Sequence, residues 1–402
     1  MGKLYKAYCR VYQNIFKIAM NFLPWNEPKV FSGEDSVFKI ADVLKNENIK
    51  NVLLVTDNGL KNIGLADELI KVLEDNSIKC TVFTDVQQNP SIDNVENAKK
   101  VYLENGCCAI IAFGGGSPID CAKGAGARIS NPGKTISQMR GQIKVRKPLP
   151  LFIAVPTTAG TGSETTVATV ITDTKTHEKY AVNDPKLRPD YAILDPKLTV
   201  GLPAHITSTT GIDALTHAVE AYIGKSNTKD TKRSAEKAVR LIFENLERAY
   251  NEPKNIQSRK NMLEASYHAG LAFTRAYVGY VHAIAHQLGG LYSTPHGLAN
   301  AVILPYVLEW FGENVYEKLS ELSKCAGISD PDKSDKENAL LFIQAIKNLN
   351  EKFSIPDKFD FIREEDIPII VKRALKEANP LYPVPKIMDE KDCEEVVRKI
   401  MK

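Results

Sequence analysis

FGGGSPID, residues 113–120, comes directly after an apolar run at 109–113 and opens a stretch of helical periodicity. A buried strand that passes through three glycines into a helix reads as one repeat of an α/β sheet, with Ser117 placed to cap the helix and Pro118 suited to its first turn. Successive glycines let backbone amides come close to an anion, and the helix N-terminus adds a partial positive charge. A pyrophosphate is therefore the ligand this turn suits. A tight strand-to-helix turn with no ligand reads equally well from these residues alone.

The same rhythm continues on both sides. Short β-branched runs at 51–56, 80–84 and 109–113 alternate with helical runs at 65–74 and 95–103, and a strand at 151–155 leads into PTTAGTGSE, residues 156–164. Such alternation predicts βαβ units on a parallel sheet. The strand at 51–56 ends in Thr56-Asp57-Asn58-Gly59 without G-x-G-x-x-G, so the standard dinucleotide fingerprint is missing from that turn. PTTAGTGSE is small and hydroxyl-rich, suited to wrapping a nucleotide. Beyond Pro203 the strand signals fade, and helical periodicity runs through 206–222, 231–250 and 257–273 towards the C-terminus. A chain of 402 residues exceeds what one core usually serves. The expected organisation is an N-terminal extension at 1–28, an α/β dinucleotide-binding domain at 29–200 and an all-α domain at 201–402, with ligands meeting in a cleft between the last two.

Composition narrows the partners. Lys and Arg number 52 against 49 Asp and Glu, a net charge of +3 without a long basic run, so neither nucleic acid nor an anionic membrane is implied. Seven scattered cysteines with no C-x-x-C pair fit reduced thiols in a cytoplasm. No apolar run is long enough for a membrane span. Residues 4–25 read as an amphipathic helix with Leu4, Tyr8, Val11, Ile15 and Phe22 in one stripe and Lys6, Arg10 and Lys17 elsewhere. Packing on its own or a partner subunit is expected for it; a membrane-surface or targeting helix is the rival.

GYVHAIAHQLGGLYSTPHGLAN, residues 279–300, holds His282, His286 and His296 in a chain with seven histidines. His282 and His286 stand four apart, one turn on a shared helix face. Gly289-Gly290 is expected to end that helix, and Pro295-His296-Gly297 to return a third imidazole through a turn. In GIDALTHAVEAY, residues 211–222, Asp213 and His217 repeat the four-residue spacing. Either pair alone reads as hydrogen-bonded core or surface residues. Together, in flanks of Ala, Gly and Leu, they point to a shared divalent cation with an open position for water or substrate. By spacing alone, His286 counts as a ligand candidate beside His282.

These segments and PHGLAN strongly resemble the metal-binding segments of the iron-containing (metal-dependent, group III) alcohol dehydrogenase family, and the likeness extends from Val30 to about Ile400. The resemblance implies a dehydroquinate synthase-like architecture, with Asp213, His217, His282 and His296 as metal ligands, Fe2+ or Zn2+ as the metal, and His286 as a catalytic histidine beside the nicotinamide. It also implies NAD(P) contacts from Asp57, Asn89, Gly115, Gly116, Ser117, Asp120, Thr157, Thr158, Thr161, Ser163, Lys179 and Leu198. The substrate pocket is expected between Phe273, His286 and the metal, among small and apolar residues. Asp57 would accept from ribose hydroxyls and repel a ribose phosphate, so NAD is expected over NADP.

The reaction implied is hydride transfer between NAD(P)(H) and a small primary alcohol or aldehyde, in a homodimer or larger homo-oligomer. One segment departs from the family. Many members carry Phe-x-Asn-Ala-Gly-Leu-Gly where this chain has Phe273-Thr274-Arg275-Ala276-Tyr277-Val278-Gly279. A pocket arginine would favour a hydroxy acid or semialdehyde. Two readings of other classes compete: a dehydroquinate synthase-like lyase or cyclase, which would need a basic cluster near the metal, and a non-enzymatic nucleotide sensor, which would not need the ligand quartet.

Overall fold

The computed structural model describes residues 2–20, 22–23, 25–176 and 178–402. Two compact units divide these residues. One comprises 24–202 with 254–263; the other comprises 1–23, 203–253 and 264–402.

The first unit is built on a six-stranded parallel sheet in the order Lys29–Ser32, Tyr191–Leu194, Leu151–Pro156, Ala109–Gly114, Asn51–Val55, Lys79–Phe83. Strand alternation sorts its side chains into two cores. Leu53, Val55, Ile110, Ala112, Phe152 and Ala154 pack on one face, while Val52, Leu54, Ile111, Phe113, Ile153 and Val155 pack on the other. Because helices cover both faces, the central strand is apolar at every position, and AIIAFG is buried throughout. The strand Lys29–Ser32, its neighbour Tyr191–Leu194 and the hairpin of Ala168–Asp173 with Glu178–Asn183 are additions to the sequence expectation. They are short or half-exposed and carry little periodicity.

The second unit is helical. Its helices include Ala204–Ile223, Lys229–Asn251, Tyr280–Tyr292 and His296–Phe311. The helix Tyr280–Tyr292 runs through Gly289-Gly290 instead of ending there, and stops at Ser293 in a left-handed conformation. Two glycines cost helix propensity, but a largely buried helix compensates by packing. His296 likewise stands at the first position of the next helix, with Pro295 before it, not in a free turn.

The N-terminal helix spans Lys3–Met20 and is shorter than expected; Asn21 and Pro24, inside the expected span, lie outside the described residues. Its orientation also differs from simple packing of the apolar stripe. The side facing its own unit carries Cys9, Gln13 and Phe16, whereas Leu4, Tyr8, Val11, Ile15 and Phe22 are exposed.

Candidate metal centre and cofactor cradle

The helix Ala204–Ile223 is buried along most of its length, and its face at i, i+4 and i+7 carries Asp213, His217 and Glu220. Polar groups in such a setting need partners. His282 comes from the next buried helix and His296 from the start of the one after. Gly297 allows that approach, since a Cβ there would collide with the Thr209 carbonyl. One ligand atom from each of Asp213, His217, His282 and His296 lies within 4.8 Å of the others. His296 Nε2 is 3.5 Å and His282 Nε2 3.8 Å from Asp213 Oδ1.

Donor chemistry tests whether this cluster fits a cation. Asn300 sends its amide nitrogen into the group, donating to Asp213 Oδ1 at 2.6 Å and lying 3.1 and 3.2 Å from Nε2 of His282 and His296. A carboxylate oxygen and two imidazole nitrogens thus converge on one neutral NH2 group, while Asn300 Oδ1 is buried without a hydrogen bond. A carboxylate and imidazole nitrogens meeting in this way suit iron or zinc.

Further residues hold the cluster in shape. Glu220 accepts from Gly279 N and Val281 N at 2.8 Å each, and meets His282 Nδ1 at 2.6 Å. A carboxylate only accepts, so Nδ1 carries the hydrogen and Nε2 is left to ligate. Phe273 stacks on the His217 ring at 4.1 Å and 15°. His286 is set differently. Its Nδ1 lies 2.7 Å from Glu377 Oε1, which also accepts from Tyr382 Oη, and its ring stacks on His296 at 5.3 Å. Tyr277, one of the departures noted above, packs against Phe16 of the N-terminal helix and Tyr382.

Glu220 and Asn300 were not among the candidates, although helical spacing offered both: Glu220 is three residues beyond His217, and Asn300 four beyond His296. Glu377 gave no such signal, being 91 residues from His286.

The other candidates gather in the α/β unit around the glycine turn. Its helix, Gly116–Ser130, is capped by Gly115, not Ser117. Ser117 sits inside the first turn, where its Oγ accepts from Asn89 N, and Asn89 Oδ1 accepts from Lys179 Nζ at 2.8 Å. The glycine turn lies directly on the threonine loop: a Cβ on Gly115 would meet Thr158 at 3.3 Å, and one on Gly116 would meet Thr161 Cγ2 at 2.8 Å. Thr157 N donates to Gly114 O, continuing the contact. Asp57 caps a short helix by accepting from Leu60 N at 2.9 Å, beside a cavity of about 420 Å³ lined by Asn58, Asp85, Asn94 and their neighbours.

Two candidates are turned inward. Asp120 accepts from Ser163 Oγ and Val170 N. Burial pushes its carboxyl up against the pull of Lys123. Leu198 packs in the core with Phe113 and Val155 and is 9% exposed. Lys123 was missed. It is fully buried, and its Nζ donates to the carbonyls of Ser163, Thr166 and Ala168, so it ties down the threonine loop. Desolvation lowers it to about 8, while the same burial raises neighbouring Glu164 to about 7.

Two family sequence models match: iron-containing alcohol dehydrogenase over residues 27–196, and the C-terminal part of the Fe-containing alcohol dehydrogenase family over 207–401. The chain belongs to the iron-containing alcohol dehydrogenase family. It is 40% identical to a 1,3-propanediol dehydrogenase of Citrobacter freundii, over 92% of this chain and 96% of that one. It is 34% identical to an NAD-dependent methanol dehydrogenase of Bacillus methanolicus, over 89% and 93%. The crystal structure of a 1,3-propanediol oxidoreductase superposes with a TM-score of 0.90 at 37% identity, covering 94% of this chain and all of the other. The dehydrogenase is thus a metal-dependent, NAD-linked oxidoreductase with the fold expected of it. Residues 1–26 lie outside both family models.

Proposed function

We propose that the dehydrogenase interconverts a small primary alcohol and its aldehyde, using NAD in preference to NADP and a divalent metal held by Asp213, His217, His282 and His296. The single observation carrying this reading is the convergence of those four ligand atoms within 4.8 Å, with Asn300 donating into their centre. A cation bound there supplies Lewis-acid polarisation of the substrate oxygen. The chain's own residues do the rest. Glu220 fixes the tautomer of His282 and Asn300 steadies the carboxylate of Asp213. Glu377 holds the hydrogen on His286 Nδ1, which leaves Nε2 to take the alcohol proton in oxidation and return it in reduction. Phe273 lines the apolar side of the substrate pocket and keeps His217 in plane.

Cofactor binding is assigned to Asp57, Asn89, Gly115, Gly116, Ser117, Thr157, Thr158, Thr161, Ser163 and Lys179; Asp120 and Leu198 support the cradle from within. A compact uncharged substrate follows from the small and apolar residues of the site segments. The substrates for which those two relatives are named, 1,3-propanediol and methanol, support a short alcohol. A cytoplasmic setting is supported by the seven free cysteines, and among the described residues no helix is long and apolar enough to cross a membrane.

NADH consumption with butyraldehyde and with succinic semialdehyde, in wild type and Arg275→Ala, tests the substrate class. Butyraldehyde is expected to be preferred by both proteins. A strong preference for the semialdehyde that disappears in the variant would overturn the assignment in favour of a carboxylate-bearing substrate. His282→Ala is expected to lose both bound metal and turnover.

A further inference from the structure

The N-terminal helix Lys3–Met20 lies outside the family models and carries no acidic residue. It is held to its own unit by polar contacts. Arg10 donates to the carbonyls of Val384 and Pro385, Gln13 to that of Tyr382 and Lys17 to that of Lys225, while Lys6 pairs with Asp389. The side turned outward is apolar. Leu4 is 87% exposed and Ile15 63%, and Tyr8, Val11 and Ile18 are also exposed, with Phe22 at 83% just past the helix end.

Of these residues, those on the helix fall at 4, 8, 11, 15 and 18, alternating steps of four and three. That is the seam of a two-helix coiled coil, narrower than the broad stripe with which a helix covers a globular core. The flanking positions carry Tyr5, Ala7, Tyr12, Asn14 and Ala19, none of them charged, so two copies of the seam meet without like-charge repulsion. A membrane-surface helix needs the basic residues of its polar face free to meet lipid headgroups. Here Lys6, Arg10 and Lys17 are engaged on the opposite side by the helix's own unit.

We propose that this stripe pairs, antiparallel, with the same stripe of a second copy of the chain. Within the helix, antiparallel pairing about a two-fold axis sets Tyr8 against Ile18 and Val11 against Ile15, so the aromatic residue of the seam meets an aliphatic one. A parallel pair would stack Tyr8 on Tyr8. The antiparallel arrangement also opposes the two helix dipoles favourably, and the contact is isologous, as a closed homo-oligomer requires. Tyr277 packs against Phe16 and braces the helix from beneath.

Sedimentation velocity on the full-length protein, wild type against Ile15→Asp and, separately, Val11→Asp, tests the pairing, with turnover as the control for folding. The wild type is expected to have at least twice the mass of either active variant. Equal masses would overturn the proposal. So would equal masses together with wild-type binding to vesicles of phosphatidylglycerol, which would make the stripe a lipid-binding surface. Disulfide formation separates the orientations: a mixture of Val11→Cys and Ile15→Cys proteins is expected to cross-link between the two variants. Cross-linking within either variant alone would refute the antiparallel arrangement.

Discussion

The metal centre and the cofactor cradle are made in different ways. In the helical unit the proposed chemistry rests on side chains whose identity is their function: a carboxylate and three imidazoles that could hold a metal, braced by Glu220 and Asn300. In the α/β unit it is carried largely by what is missing. Gly116 leaves no room for a Cβ against Thr161 and Gly115 leaves little against Thr158, and the polar side chains nearby mostly bond to one another. A site of ligands fails when a donor is lost, and a site of close approach fails when an atom is added. The two should therefore respond to opposite kinds of mutation.

The largest effect is expected from Glu220→Ala. Two buried backbone N–H groups and His282 Nδ1 lose their acceptor, so metal affinity should fall by ~10–100-fold, accompanied by a loss of stability of ~1–3 kcal/mol for each amide left unsatisfied. Equilibrium metal titration with thermal unfolding measures both. Unchanged metal affinity would mean that His282 needs no orienting partner. NAD binding in the same variant should be little altered.

Gly116→Ala is the reciprocal experiment. The added methyl meets Thr161 Cγ2 at 2.8 Å, and such overpacking typically costs ~1–3 kcal/mol. The KM for NAD should rise about tenfold, which corresponds to ~1.4 kcal/mol, at unchanged metal content. A variant that loses metal instead would break the separation between the two sites.

Asp57→Ser sharpens the reading of the cradle, because serine retains an oxygen to cap Leu60 N while removing the charge. The ratio of kcat/KM for NADP to that for NAD should rise about fivefold, from removal of ~1 kcal/mol of repulsion. An unchanged ratio would show that the carboxylate does not face the ribose.

The smallest effect is a pH dependence of stability from Glu164. Its carboxyl is raised by burial from 4.5 to about 7, so the folded state binds the proton more tightly than the unfolded state. That contribution is fully present below pH 4.5 and is lost as pH rises to about 7. Relative to Glu164→Gln, the wild type should lose a few degrees of Tm between pH 5 and 7, at roughly 2–4 °C per kcal/mol. Parallel curves for the two proteins would place the proton elsewhere.

The same contrast governed how much was legible in the sequence. The histidine segments stood out because histidines are few and two pairs keep helical spacing, but spacing alone left His286 beside His282 as a candidate, and the proposed set of four came from the family resemblance; the central strands could be read because a sheet covered on both faces is apolar at every position. The edge strand Lys29–Ser32 and its neighbour Tyr191–Leu194 are four residues long, too short for periodicity to register. Lys123 reads as an ordinary surface lysine, and only the fold reveals that three carbonyls surround it. Glu377 reaches His286 from a helix distant in sequence, a contact no local pattern encodes. The N-terminal stripe was visible as a stripe, but amphipathicity does not say which face a docked helix turns inward when its polar face finds carbonyls to bond.

Metal content and NADH-linked turnover, followed together as the purified protein is stripped by chelation and then titrated with Fe2+ or Zn2+, test the central claim most directly. Turnover is expected to vanish with the metal and to return in proportion to occupancy, reaching its plateau at one ion per chain in wild type and not returning in His282→Ala. Full turnover by the metal-free protein would contradict the account.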